Sequence, residues 1–113
     1  MLKKDCPKLE VERLRGGNGI LHATELAVAE ECHGHVTQFR RMVMDPGCSI
    51  GYHTHNENTE IYYILSGNPT GNDNGEEVQM GPGSVMVTGN GAGHALENRT
   101  NEPVELINLI VKQ

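Results

Sequence analysis

Tryptophan is absent from this chain of 113 residues and phenylalanine occurs once, so Ile, Leu, Val and Met must fill any interior. The chain has no basic block, and its net charge of −6 argues against nucleic acid and anionic membranes as partners. No apolar run approaches the length of a membrane span, and Met1–Pro7 lacks the apolar centre of a signal peptide. A cytoplasmic location is the expectation. Cysteine is scarce as well. Cys6, Cys32 and Cys48 cannot all pair within one chain, and their spacing matches neither a zinc knuckle nor a CxxC redox motif. Three reduced thiols are expected.

What the chain has is turns. Its 14 glycines and 5 prolines punctuate short apolar segments, and its length suits one domain with a single core. Residues 1–15 are charged and mildly amphipathic, suited to a short strand or an arm on a neighbour. Gly16-Gly17-Asn18-Gly19 carries no phosphate-cradle pattern and reads as a loop. Ile20–Ala29 is ambiguous between strand and short helix. From Val36 onward a period of two predicts strands over Val36–Met44, Ile50–His55, Glu60–Leu65, Glu76–Met80, Ser84–Thr88, His94–Asn98 and Val104–Val111. Asp45-Pro46-Gly47 is a strong turn, and Asp73-Asn74-Gly75 predicts a hairpin. Short strands so spaced indicate an all-β sandwich or small barrel. Residues 1–35 are expected to form an N-terminal arm and first strands, and 36–113 the barrel, within one domain.

Two segments carry the chemistry: Gly47-x5-His53-x-His55-x4-Glu60-x6-Gly67 and Gly83-x10-His94-x3-Asn98. Histidines two apart on a strand share a face and can chelate one ion. Glu60 opens the next strand and can return opposite them, whereas His94, 34 residues further on, must arrive by tertiary folding. Three neutral nitrogens and one anionic oxygen suit Mn, Fe, Ni or Zn and leave positions open for exogenous ligands. Cys32-His33-Gly34-His35 offers further potential ligands but lacks a matching fourth group, so it is taken as a turn with solvated histidines.

The first segment resembles cupin motif one, G-x5-H-x-H-x3–4-E-x6-G, at every fixed position. The second is similar to cupin motif two, G-x5-P-x-G-x2-H-x3-N, through Gly83, Gly91, His94 and Asn98. Gly89 stands where that motif usually has Pro, which should loosen the turn without removing a ligand. The resemblance implies a double-stranded β-helix, or jelly roll, with His53, His55, Glu60 and His94 as metal ligands. It also implies a pocket lined from the even positions of residues 36–44, aiming Arg40 and Met42 at a substrate. With Glu60 facing the metal, Tyr62 and Ile64 face inward by parity. Leu106, Asn108 and Ile110 would do the same, opposite an outward Ile107, Leu109 and Val111. An apolar outer face of that kind calls for a homodimer. Asn98 is expected to bond local backbone.

Four ligands in an octahedron leave two adjacent sites open, with Mn or Fe favoured over a closed structural zinc site. The reading is a small metal-dependent enzyme, an oxidoreductase or isomerase of dioxygenase, decarboxylase or isomerase type. Its substrate would be a small organic acid, diketone or sugar derivative. A non-catalytic, metal-containing binding or sensing module is the alternative, and a barrel whose metal serves only stability is a third. Ile50, three residues before His53, stands where oxalate decarboxylases of the cupin family carry arginine, which argues against that particular activity. The expected lining of Arg40, Met42, Ile50, Tyr62, Leu96 and Asn108 is mostly apolar, which suits a ligand with an apolar body and one polar group.

Overall fold

A computed structural model describes residues 1–113. The first strands are β1 (Lys8–Glu12), β2 (Ile20–Ala27), β3 (Val36–Met44), β4 (Ser49–Thr54) and β5 (Asn58–Ser66). They are followed by β6 (Thr70–Asp73), β7 (Glu76–Gln79), β8 (Val85–Thr88), β9 (Gly93–Glu97) and β10 (Val104–Lys112). The only helical turns are short 3-10 segments at Leu14–Gly16 and Ala29–Cys32. No helix is long and apolar enough to cross a membrane. The fold is all-β, as the period-two pattern predicts.

The strands form two antiparallel sheets, one of six in the order β1-β2-β3-β10-β5-β8 and one of four in the order β4-β9-β6-β7. Ile20–Ala27, locally ambiguous, is a strand because it is paired on both sides, by β1 and β3. The amphipathic N-terminal segment therefore adds a strand to its own sheet. Asn74 and Gly75, both at positive φ, form the two-residue turn between β6 and β7. Along β5, Glu60, Tyr62 and Ile64 are buried while Tyr63 is exposed. On β10 the buried set is Val104, Leu106 and Asn108, and on β3 Met42 and Met44. Ile110, paired opposite Glu60 on the same inward face, is half-buried. These inward side chains meet Leu21, Ile50, Met86 and Leu96 in one cluster between the sheets.

One irregularity decides where the site forms. Ile50 pairs with Leu96 and His53 with His94, so β4 spends three steps where β9 spends two. The extra residue is a bulge, and it turns both Ile50 and His53 inward, which an unbroken period of two would forbid. The 3-10 turn at Leu14–Gly16 packs across the bulge. A Cβ on Gly17 would strike the Ser49 carbonyl oxygen, and one on Gly51 would strike that of Arg15. Gly16-Gly17-Asn18-Gly19 is thus a packing surface as well as a loop.

Gly51→Ala should therefore cost about 1–3 kcal/mol by overpacking, read as a lower urea midpoint. A variant as stable as the parent would contradict this close approach.

Candidate metal centre

His53 lies near the end of β4, and His55 stands just beyond it, pinned where His55 N–H donates to the Ala92 carbonyl (3.0 Å) and Gly91 N–H to that of His55 (2.8 Å). β5 supplies Glu60 from the other sheet, and β9 supplies His94. The turn before His94 places Asn90 and Gly91 at positive φ. A Cβ at Gly89 would come within 2.5 Å of Thr59 Oγ1, so this position fits closely without proline.

The four side chains converge. Glu60 Oε1 lies 2.9 Å from His94 Nε2, 3.0 Å from His55 Nε2 and 3.5 Å from His53 Nε2. His94 Nε2 lies 3.0 Å from His53 Nε2 and 3.1 Å from His55 Nε2. Only Glu60 Oε2 turns away, accepting a hydrogen bond of 2.6 Å from Asn108 Nδ2. The outward edges of two imidazoles set their protonation. His53 Nδ1 lies 2.8 Å from the Gly51 carbonyl and His55 Nδ1 2.6 Å from Asn58 Oδ1. Both partners only accept, so each Nδ1 carries the proton and each Nε2 presents a bare lone pair inward.

This donor set fits a transition metal ion. Metal–nitrogen bonds of about 2.1 Å separate neighbouring donors by about 3.0 Å in an octahedron and about 3.4 Å in a tetrahedron. Four of the separations here fall between 2.9 and 3.1 Å, the octahedral value. Unprotonated nitrogens and a carboxylate so close repel one another unless a cation lies between them. The four form the one group in the fold able to hold an ion with three or more such side chains. Cys32, His33 and His35 lie outside it, as a solvated turn would.

Electrostatics agree. Burial alone would raise the Glu60 carboxyl, but the adjoining His53 and His94 imidazoles and the hydrogen bond from Asn108 outweigh it and hold the group far below the carboxylate range. Burial lowers the His94 imidazole against the opposing pull of Glu60, favouring the neutral form a metal needs. The Tyr62 ring stacks on that imidazole at 4.5 Å between centroids, 4° from parallel. Burial, then Glu60, push the Tyr62 hydroxyl well above its ordinary value, so it stays protonated.

Met42, Ile50, Tyr62, Leu96 and Asn108 all face the interior and are buried in its packing. Arg40 lies on the same face, half-buried, its Nε donating to Glu25 Oε2 (2.9 Å). Three buried polar atoms have no partner: His94 Nδ1, Asn108 Oδ1 and Thr88 Oγ1. Thr88 is paired directly opposite Glu60 and Asn108 opposite Tyr62. Asn98 bonds backbone, its Nδ2 donating to the Met44 and Glu102 carbonyls. Sequence reasoning did not find Asn58 or the Gly51 carbonyl. Asn58, three residues past His55, was the detectable one, since a ligating histidine needs an acceptor at its far nitrogen.

A jelly roll enclosing a three-histidine, one-carboxylate site defines a class of single-metal β-barrels. A sequence profile described as "Cupin domain" matches residues 40–110, and the chain belongs to the cupin family. It is 37% identical over 101 residues to an "Oxalate-binding protein" of Thermotoga maritima, covering 89% of this chain and 84% of that protein. The crystal structure of a "predicted oxalate decarboxylase" from Thermotoga maritima superposes with a TM-score of 0.94 at 33% identity over the whole of both chains. The cupin domain of an XRE-family transcriptional regulator from Enterobacter cloacae shares the fold alone, with a TM-score of 0.69 and 20% identity over 82% of this chain and 97% of that one.

Two groups make the metal-free protein acid-sensitive. An unfolded histidine takes up a proton near its ordinary 6.5 while His94 resists it, so stability falls as pH drops below that value. Glu60, depressed in the fold, adds a further loss as pH falls through 4.5, where the unfolded carboxyl protonates. Melting temperature in chelator should decline from pH 8 to pH 5, and the decline above pH 5 should flatten in His94→Leu. A pH-independent parent would contradict this.

Proposed function

We propose that this protein holds one divalent transition metal, Mn or Fe, on His53, His55, Glu60 and His94, and binds a small organic acid beside it. The carrying observation is the pair of imidazoles whose outward hydrogen bonds leave both Nε2 lone pairs facing Glu60 Oε1. Lewis-acid polarisation of a carboxylate, carbonyl or enolate oxygen is the chemistry such an ion supplies when bound.

The chain's own residues divide the remaining work. Asn108 holds Glu60 by its outer oxygen and leaves Oε1 for the centre. Tyr62, kept protonated, offers a buried hydrogen-bond donor beside His94. Met42, Ile50 and Leu96 exclude water. Asn108 Oδ1 and Thr88 Oγ1, unpartnered on either side of the Glu60 strand, are free to bond a ligand or an ordered water. Arg40 contributes to ligand anchoring by exchanging its Glu25 partner for an acid group.

The name of the Thermotoga relative favours a short dicarboxylate, and the apolar interior favours an acid with an apolar body. Turnover by dioxygenation, decarboxylation or isomerisation is the first reading. The relative's name as a binding protein supports the second, binding without turnover. Three unpaired cysteines suit a reducing cytoplasm.

Metal analysis of protein purified without added metal should find about one equivalent of Mn or Fe per chain. Chelation should lower the melting temperature, and either metal should restore it. Native protein free of metal and indifferent to metal addition would overturn the proposal. Oxygen uptake or carbon dioxide release with organic acids would separate enzyme from binding module.

A homodimer is part of this reading. On the outer face of the larger sheet, Val87, Ile61, Leu109 and Phe39 align across four strands, with Val85, Tyr63 and Ile107 beside them. Val87 is 61% exposed and Val85 56%. A contiguous apolar strip of this kind is normally covered. Sedimentation should give a dimer, and Val87→Glu with Ile61→Glu a folded monomer. A monomeric parent would contradict it.

A further inference from the structure

The two sheets end in four strand edges, β1 and β8 in the larger and β4 and β7 in the smaller. Three of them are protected. β1 carries Lys8, Glu10 and Glu12, and β7 carries Glu76 and Glu77, charges of the kind that keep an edge from pairing with another chain. β4 lies under the N-terminal turn. The fourth edge, Val85-Met86-Val87-Thr88 of β8, has no charge, no proline and no bulge. Its shortness is its one safeguard.

The free backbone groups of β8 are fixed by its pairing with β5. Ile64 N–H donates to the Ser84 carbonyl (3.0 Å), which makes Ile64 and Ser84 a hydrogen-bonded pair. By the alternation of an antiparallel ladder, Tyr62 with Met86 and Glu60 with Thr88 are bonded pairs as well. Val85 and Val87 fall between them and turn their N–H and C=O groups to the open side. Their side chains are exposed on the outer face, while Met86 and Thr88 point inward.

Beside this edge the sandwich is open. A cleft of about 240 Å³ separates β8 from β7, lined by Val78 and Met80 on one side and by Val85, Met86 and Val87 on the other. Asp73 is exposed at its rim and makes no ion pair. The β8 strand of a second copy does not suit the cleft. Its inward side chains, Met86 at 6% exposure and Thr88 at 1%, are committed to their own core. The occupant must bring an extended backbone to Val85 and Val87, and between those two contacts an uncommitted apolar side chain that fills the cleft.

We propose that β8 and this cleft dock a short extended segment of a partner protein, added as a further strand of the larger sheet. The segment places an apolar residue between the sheets and a basic residue against Asp73. This is independent of the metal and organic-acid readings above.

The test is fluorescence anisotropy of a labelled, end-capped peptide, Lys-Leu-Thr-Val-Thr-Leu-Lys, titrated with the full chain. Its two threonines stand opposite Val85 and Val87, so their N–H groups bond β8 and the valine between them enters the cleft. N-methylation of both threonine amides should weaken binding about tenfold or more, and N-methylation of the valine and one leucine should leave it within about twofold. Val85→Pro removes one outward N–H without touching the β5 ladder, and Asp73→Lys repels the peptide's lysines. Each should weaken binding by about 3- to 10-fold while circular dichroism shows the fold retained. A parent that binds no peptide overturns the proposal, as does full binding of the threonine-methylated form. Unchanged binding in both protein variants overturns it too. Loss of binding on valine methylation alone would put the apolar side chain outside the cleft and overturn it equally.

Discussion

Three imidazole nitrogens crowd around Glu60 Oε1 at separations that are tolerable only with a cation between them. Like charges and lone pairs at 3 Å repel strongly in a low-dielectric interior, so the protein must hold them there by other means. It does so from outside the cluster. The Gly51 carbonyl and Asn58 Oδ1 take the outer protons of two imidazoles, Asn108 takes the outer oxygen of Glu60, and Tyr62 stacks on His94. Each of these contacts orients a donor without occupying its inward lone pair.

The fold is arranged around that requirement. His53 and His94 face each other as a cross-strand pair of the smaller sheet, and Glu60 comes from the larger one, so the centre spans the gap between the sheets. The β4 bulge lets one short strand give an apolar side chain, Ile50, to the core and a ligand, His53, to the centre. The N-terminal turn braces the bulge through two glycines whose neighbours leave no room for a Cβ. A site built on paired strands with such bracing is held rigidly enough to keep ligand geometry.

Much of this was legible in the sequence. The His53-x-His55 spacing, Glu60 and the distant His94 announced the cluster, and parity from Glu60 gave the inward set of β5 with Tyr62. Along β3 and β10 period two left two faces open, and the cupin resemblance chose the one that includes Asn108. What could not be read depends on contacts between segments distant in the chain. Nothing local marks the bulge in β4, because its extra residue is defined only against β9. Gly17 and Gly51 look like ordinary turn and strand glycines until the N-terminal turn is laid across β4. Ile20–Ala27 carries no decisive pattern because pairing on both edges, not its own periodicity, makes it a strand. Ile110 faces inward opposite Glu60 as parity predicts, but that it would be only half-buried was not legible locally.

The central claim is that the protein presets its imidazoles for metal before any metal binds. Long-range proton–nitrogen correlation NMR of the metal-free protein near pH 7.5 reads the tautomer of each histidine directly. The account predicts that His53 and His55 carry their protons on Nδ1, with Nε2 showing the shift of an unprotonated nitrogen. Protons on Nε2 of either ring would contradict it.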